Sequence, residues 1–546
     1  MLFIFPNNLT VSFTVLSIIP RYTSYYPIAF LAVLLGYFIF RATGAPFSDY
    51  AGYYFGSKAL LQGNYQQVYD TYSLNAMITE KGFTGVFVSY TPFPPFTSIV
   101  LAPFLSLPVA ASKIVFNIFS ATLFIWALTR TVKYFSVPTR VVWLIPILFF
   151  IPLRNNVFFG QAYLLLFALL MEGFMAYKKE KPIITSLLWG VAIVFKLFPL
   201  VVVFFLLVKK EYKLALYCVI ACTVLGLVSL VFNGITSWQY YVFTIFPRAN
   251  SGELNNSYTY LFQSAFMLMK NLFVYDEVQN PQVLVNSMLM FITLMALFKA
   301  VVLTCCVGLT IHKKTSSFMA FAGWITASLL LSPNGSSYSL ILLLIPLLAL
   351  ANIKMVYVYV GMALVFLICF ISVQALAQFP LLLQFPRLYL MILFFALILL
   401  VAVPSRSFGE AKPGARFPLK TGFAFFALLL LADLPKLFAP KDNSAYLLKQ
   451  KLPLVYDYTI KNNRLVYYYW DEKGPHEIIT NYEVQEASTD EVYIQNNQLY
   501  YKDRQLTSTP DRKQQVMLIN NTDIVYLSDK GLGFKFYTLR RIPKPE

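Results

Sequence analysis

Apolar runs long enough to cross a bilayer, about 17–25 residues each, recur from about residue 24 to about residue 438 and then stop. The first lie near residues 24–42, 109–129, 140–152 and 159–177, and basic residues punctuate the connections between them. Placing those basic clusters in the cytoplasm, as positive residues prefer, predicts a polytopic α-helical membrane protein. It has about 13 transmembrane helices, with the N-terminus inside and the C-terminus outside. One stretch tests the scheme. Residues 183–208 carry basic clusters at both ends, Lys178, Lys179 and Lys181 before and Lys209, Lys210 and Lys213 after, with Lys196 and Pro199 near the middle. A single crossing would export one cluster, so two short helices meeting at an outward apex are expected. A single kinked span is the alternative, because proline is tolerated in membrane helices.

The loop after the first span, residues 43–108, is too long and too patterned for a plain connector. Ser48 is placed to cap a short helix running to about Gly63, and Tyr50, Tyr53, Tyr54 and Leu60 suit a helix lying in the membrane interface. Tyr90-Thr91-Pro92-Phe93-Pro94-Pro95-Phe96 then reads as a rigid aromatic turn, and residues 96–108 as a stretch that dips into the membrane or lies along it. From about residue 440 the period becomes two. Runs such as Arg464 to Trp470, Glu491 to Ile494 and Gln498 to Tyr501 are separated by Asn-Asn pairs that recur three times, at 462, 496 and 520. Two units are therefore expected. Residues 1–439 form a membrane domain with outer loops 43–108 and 233–282, and residues 440–546 form a small antiparallel β domain outside the membrane.

Composition agrees and narrows the partners. The 546 residues are 58% hydrophobic and 12% charged with a net charge of +18, and the mean hydropathy is +0.63, values foreign to a soluble globule. Residues 440–546 are nearly balanced, 15 Lys and Arg against 14 Asp and Glu, whereas the membrane part holds 28 against 11. The positive excess is thus a topology signal, and no nucleic-acid partner is expected. All 5 Cys lie in apolar runs, with no disulfide or metal-ligand spacing. Met1 to Pro6 lacks the basic start of a signal peptide, so the first span is expected to stay as an anchor. With only His312 and His476 in the chain, a His triad, a His metal site or a membrane His relay has little material. No metal and no cofactor are called for.

Acids are scarce in residues 1–439, and Asp49 alone stands at a span end with an aromatic helix directly after it. Two readings stand for it. It is a helix-cap residue favouring the positive helix end, or it is a catalytic base. Asp70 is the next acid along. Lys196 in the middle of an apolar run costs on the order of 3 kcal/mol to insert and marks a functional site or snorkels to headgroups. Arg154 and Arg248 join it as outward cations suited to a phosphate. Asn155, Asn156, Gly160 and Gln161, then Asn255, Asn256 and Ser257, then Ser332, Pro333, Asn334 and Gly335 share the same predicted face. Amides and hydroxyls gathered there can hydrogen-bond a sugar.

These residues carry a resemblance. Asp49 with Tyr53, Leu60-Leu61-Gln62-Gly63 and Val68-Tyr69-Asp70, then the Tyr90 to Phe96 turn and Leu101-Ala102-Pro103-Phe104, resemble the opening of the polyprenyl-phosphate-mannose-dependent mannosyltransferases of glycosyltransferase family 87. Gly160-Gln161 is similar to that family's Gly-Gln-x-Asn motif, and Gly190 through Lys196 to Pro199 is similar to its Gly-Leu-Ala-x-x-x-Lys-x-x-Pro motif. Asn256-Ser257 and Leu331-Ser332-Pro333 match later landmarks, and the likeness runs over about residues 28–400. Two positions depart. Gly160-Gln161 is followed by Ala162-Tyr163, and Ser336, Ser337 and Tyr338 stand where the family often has His.

The resemblance implies a GT-C type membrane glycosyltransferase of the cell envelope, in a bacterial cytoplasmic membrane, with its active site outside. It implies an inverting transfer of a hexose, mannose by analogy, from a polyprenyl-phosphate donor to a glycan or glycolipid acceptor. Asp49 is then the base. Tyr53, Tyr54, Asp70, Tyr90, Arg154, Asn156, Gln161, Lys196, Arg248, Asn256, Ser332 and Asn334 are the expected substrate-binding residues. Membrane lipids surround the spans, and the β domain is a candidate surface for an envelope partner. A transporter or flippase of lipid-linked sugars is the rival reading. It would share the spans and the phosphate-binding lysine, but internal inverted repeats, its usual mark, are not evident.

Overall fold

The computed structural model describes residues 25–83, 86–250, 252, 258–402, 418–438, 443–449, 455–471, 474–530 and 537–545. Asn256, with its neighbours Asn255 and Ser257, lies outside the described residues. Twenty helices precede the strands among those described. The first group is α1 (Tyr25–Ala42), α2 (Ser48–Leu61), α3 (Tyr65–Tyr69), α4 (Thr71–Glu80) and α5 (Thr97–Leu101). Next come α6 (Val109–Tyr134), α7 (Thr139–Leu148), α8 (Phe150–Phe159), α9 (Tyr163–Lys178), α10 (Pro182–Phe195), α11 (Val201–Val208), α12 (Tyr212–Tyr240) and α13 (Phe246–Asn250). The last are α14 (Ala265–Phe273), α15 (Met288–Ile311), α16 (Ser317–Leu331), α17 (Leu344–Leu350), α18 (Met355–Phe370), α19 (Pro386–Ala402) and α20 (Leu419–Asp433).

Three helical stretches, Val109–Tyr134, Tyr212–Ala249 and Met288–Ile311, are long and apolar enough to cross a membrane. The α7–α8 pair qualifies as one broken span bent by 54°, while α1, α10 and several later helices are apolar but shorter. Lipid explains the outer surface. On α12, Val231 is 82% and Phe232 59% exposed, and a contiguous apolar face of that size is untenable in water.

The break at Lys196 folds the chain back on itself. Trp189 on α10 and Phe205 on α11 both pack on Tyr177, at 6.1 and 6.0 Å between ring centroids. Both also pack on Phe321, at 5.8 and 5.9 Å. In one continuous helix these two residues would stand about 24 Å apart at 1.5 Å per residue. The two arms therefore return to the same level, with Lys196 at their apex.

The loop after α1 brings a core of its own. Tyr50, Tyr53, Tyr69, Tyr90 and Phe116 are fully buried in one aromatic cluster that also takes in Phe195 and Tyr241. A Cβ at Gly56 would lie 2.3 Å from the Tyr90 ring, so this glycine sets how closely α2 meets the Tyr90 turn. Asn233 of α12 clamps that turn, donating to the Pro95 carbonyl (3.1 Å) and accepting from Ser98 (2.9 Å). The stretch after the turn is a short helical plug held by the protein, with Thr97, Ser98 and Leu101 buried.

The chain ends in antiparallel strands β1 (Ala445–Tyr446), β2 (Val455–Lys461), β3 (Arg464–Asp471), β4 (Gly474–Glu483), β5 (Ala487–Ser488), β6 (Val492–Gln495), β7 (Gln498–Tyr501), β8 (Arg504–Gln505), β9 (Lys513–Ile519), β10 (Asp523–Ser528) and β11 (Thr538–Pro543). They form sheets ordered β1-β11-β10-β9-β5, β2-β3-β4 and β6-β7-β8. Each Asn-Asn pair turns a hairpin, joining β2 to β3, β6 to β7 and β9 to β10, and all six asparagines have positive φ, between 49 and 64°. Asn tolerates that region where most side chains do not, and such turns match the twist of a hairpin.

The β region is docked on the helical part by buried polar contacts. Arg512 bonds Asp70 (2.6 Å) and the Tyr240 hydroxyl (3.0 Å), Tyr537 donates to Asp70 (3.0 Å), and Arg248 pairs with Asp529 (2.9 Å). Tyr446 donates to Asp276 (2.8 Å), and Tyr72 stacks on Tyr456 at 5.2 Å.

Candidate active site

The site starts from how α2 begins. Its N-cap residue is Phe47, in αR geometry and without a side-chain cap bond, so the expected cap at Ser48 is one residue late and Ser48 lies within the helix. Asp49 thus sits in the first turn, near the positive helix end, with a carboxylate not spent on capping. It is half-buried, and its Oδ2 accepts a hydrogen bond from Gln161 Nε2 at 2.7 Å.

Gln161 reaches Asp49 because α8 ends where it does. The sequence placed Asn155 and Asn156 in a connection, whereas both lie in the last turns of α8. Gly160 closes that helix in the left-handed region at φ 64°, and a Cβ there would meet Tyr50 Cβ at 2.6 Å. Both constraints call for glycine, and together they bring residue 161 against α2. Asn156 sets the loop behind it. Its amide donates to the Pro152 and Tyr338 carbonyls, 2.8 Å each, its Oδ1 accepts from Tyr163 N (3.2 Å), and its carbonyl accepts from Gln161 N (2.7 Å).

The other end of the Gln161 amide completes a relay. Its Oε1 accepts from Tyr53 OH (3.1 Å) and from Lys196 Nζ (3.3 Å). Lys196 follows α10 in extended geometry and is 8% exposed. Its ammonium lies over the rings of Tyr163 (4.0 Å), Phe93 (5.1 Å) and Tyr53 (5.7 Å), an arrangement that offsets part of the cost of burying a charge. Tyr53 stacks on Phe93 at 4.4 Å, and Thr97 holds the apex by donating to the Phe195 carbonyl (3.2 Å). Burial first, then the nearby Tyr163, Tyr338 and Asp49, hold the Tyr53 hydroxyl well above the ordinary phenol range, so it stays protonated and donates. Among the described residues neither Asp49 nor Lys196 is in an ion pair.

Asp49, Tyr53, Gln161 and Lys196 are thus brought together, with Asn156 as their support. The other expected site residues are placed elsewhere. Tyr54 donates to the Leu107 carbonyl (2.8 Å), and Tyr90 is buried edge-on to Tyr69 and Phe93, 5.6 Å from each. Asp70 caps α4 through Ser73 N (3.0 Å) and holds Arg512, and Arg248 is engaged by Asp529. Arg154 is exposed over the Phe158 ring at 5.1 Å. Ser332 and Asn334 bond each other in the loop after α16 (3.3 Å), which Ser264 holds through the Pro333 carbonyl (2.7 Å).

Sequence reasoning did not single out Phe93, Tyr163 and Tyr338 as a group. Tyr338 stands 5.4 Å from Tyr163 and its hydroxyl bonds Asp49, and it is one of the three residues, with Ser336 and Ser337, that stand where the family often has His. Lys113 of α6, another cation that senses Asp49, was also missed. Its signal was a lysine one turn inside an apolar run.

A membrane-embedded helical protein with a half-open carboxylate, a bridging amide and a caged ammonium has the parts of an enzyme that takes a proton beside an anion. Residues 90–333 match the model of glycosyltransferase family 87, which indicates a glycosyltransferase; no curated protein matches the chain. Gln161, Lys196 and the Phe93 turn fall inside the matched stretch, while Asp49 and the β region fall outside it.

Proposed function

We propose that this protein transfers a hexose, mannose by analogy, from a polyprenyl-phosphate donor to a hydroxyl of a glycan or glycolipid at the outer membrane face, with inversion. The observation that carries the reading is the Asp49–Gln161–Lys196 relay. Asp49 accepts the proton of the acceptor hydroxyl as that oxygen bonds the anomeric carbon. The bond from that carbon to the phosphate oxygen breaks, and its electron pair leaves with the polyprenyl phosphate. Gln161 orients the carboxylate by holding its Oδ2, and its neutral partners, Gln161 and Tyr338, leave the carboxylate its charge for the proton. Lys196, at the far end of the same amide, meets the charge that grows on the leaving phosphate. Arg154 and Arg248 have no part in that step.

The test uses the purified full-length protein with polyprenyl-phosphate mannose and a panel of envelope glycan and glycolipid acceptors, with product identified by mass spectrometry. Asp49→Asn is expected to bind the donor as wild type does and to lower transfer about 10²–10⁴-fold. A variant that keeps most of its turnover would sink Asp49 as the base. Movement of the intact lipid-linked sugar across the membrane, with no covalent product, would establish the transporter reading instead.

A further inference from the structure

One arginine of the β region braces the wall of the Lys196 cage by two routes. Arg512 holds Asp70 with one guanidinium nitrogen (2.6 Å) and the Tyr240 hydroxyl with another (3.0 Å). The chain neighbour of each partner reaches the turn that carries Phe93. Tyr69, next to Asp70, donates to the Phe93 carbonyl at 2.8 Å, and Tyr241, next to Tyr240, donates to the Pro92 carbonyl at 3.2 Å. Two consecutive carbonyls are thus held by two tyrosines whose neighbours share one guanidinium. The tyrosines also pack on one another, with the Tyr69 ring 6.0 Å from Tyr240 and 6.1 Å from Tyr241. Tyr69 and Tyr241 are both buried in the aromatic cluster of the outer loop.

Phe93 has no polar atom in its side chain, so its place is set by its backbone and by its stacking on Tyr53 at 4.4 Å. The Lys196 ammonium lies 5.1 Å from its ring centre, and a cation–π contact depends on where the charge stands over the face. Every step from Arg512 to Lys196 is therefore a peptide bond, a hydrogen bond or a ring contact, the kind of unbroken network that carries coupling. We propose that Tyr69 and Tyr241 are positioning residues that hold the Phe93 ring against the Lys196 ammonium, and that Arg512 makes this hold depend on the docked β region. A cage already in place takes up an anion without first ordering its parts. Loosening it weakens donor binding and leaves the bound step to Lys196, which is still present. The coupling to Lys196 stands on the geometry alone, and its effect on the donor rests on the glycosyl-transfer reading.

The test reads Lys196 directly, by reductive methylation of the full-length protein in nanodiscs with formaldehyde and cyanoborohydride, followed by peptide mass spectrometry. Exposed Lys81 and buried Lys113, both outside the cage, serve as references. Tyr69→Phe combined with Tyr241→Phe keeps the rings and removes the two hydroxyls. Lys196 should then react about tenfold faster, the scale of two lost hydrogen bonds, with both references at their wild-type rates. Arg512→Ala should move Lys196 the same way, by about threefold. Phe93→Leu should itself speed the reaction, and loss of the tyrosine hydroxyls should add nothing in that background. In the transfer assay the donor KM should rise with the Lys196 rate, while kcat of Arg512→Ala stays at the wild-type value. Should the tyrosine pair fail to fold, each single Tyr→Phe variant and Arg512→Ala still decide. Wild-type labelling of Lys196 without the hydroxyls, or a further rise in the Phe93→Leu background, overturns the coupling. An unmoved rate in Arg512→Ala overturns the part given to the β region, and faster labelling with an unmoved donor KM overturns the effect on the donor. Faster labelling in a protein that transfers no sugar from any prenyl-phosphate donor removes the proposed function and leaves the coupling. Wild-type transfer kinetics together with unmoved labelling remove the coupling alone.

Discussion

Asp49 and Asp70 leave the same loop, each at the start of a helix, and the protein treats them in opposite ways. Asp70 is 4% exposed. Its oxygens take the Ser73 amide and hydroxyl, the Arg512 guanidinium and the Tyr537 hydroxyl. Asp49 is half-buried, with one short bond from the neutral Gln161 amide and a second contact from the Tyr338 phenol. A carboxylate locked on a guanidinium has given its lone pairs away and serves as a rivet. One held only by neutral donors keeps its negative charge for an incoming proton. The contrast separates two acids that composition and position make nearly equal, and it assigns Asp70 to docking the β region.

The sharpest way to break the contrast is to neutralise each acid in turn. Asp49→Asn should remove transfer, while Asp70→Asn should leave the chemical step within about tenfold of wild type and loosen the β region, since a buried pair that loses one partner costs about 3–5 kcal/mol. Thermal unfolding and limited proteolysis read the second effect, and a reversed pattern would overturn the assignment. Next in size is Lys196→Met, expected to cost about 10²–10³-fold in kcat, the scale of losing one preorganised donor to a developing charge. Lys196→Arg should not restore it, because a planar guanidinium does not fit a cage built round an ammonium.

Gln161 then tests the bridge itself. Gln161→Ala should lower kcat by about 10–100-fold through misplacement of the carboxylate. Gln161→Glu should do worse than Gln161→Ala, because a second carboxylate against Asp49 raises the proton affinity of the pair and shifts the pH–rate profile upward. An unmoved profile would mean that the two side chains do not meet in the working enzyme. Arg512→Ala belongs with Asp70, with proteolytic sensitivity in the β region as its readout and an intact chemical step. The smallest effect is expected at Arg154, where replacement by Ala should change stability by about 0.5 kcal/mol or less, as at other exposed positions, and leave the rate of transfer unchanged.

The features legible in advance are those written in a few consecutive residues. Asn496 and Asn497 announce a hairpin because their own backbone preference makes one. Lys196 and Pro199 announce a break because an apolar helix tolerates neither a charge nor a missing donor cheaply. Motif order brought Asp49, Gln161 and Lys196 into one hypothesis without their geometry. The misses have a common cause. That Phe47, and not Ser48, precedes the first turn of α2 is a matter of backbone geometry beside the Pro46 carbonyl, which Lys113 of another helix holds. That Arg248 serves Asp529 and Arg512 serves Asp70 depends on a partner hundreds of residues away. In each case the side chain's chemistry was plain and its neighbour was not.

The sequence by itself determined that the chain is a helical membrane protein with a β appendage, and that charge and amide are rare enough in its apolar part to mark a site. Apolar length, charge placement and turn preference act over one or two turns of chain, so they can be read locally. Only the tertiary structure decided which acid is locked on an arginine. Whether a carboxylate is a base or a rivet depends on what is packed against its second oxygen. At Asp70 that is an arginine from the β region, and at Asp49 the partners are the Gln161 amide and the Tyr338 phenol, both neutral.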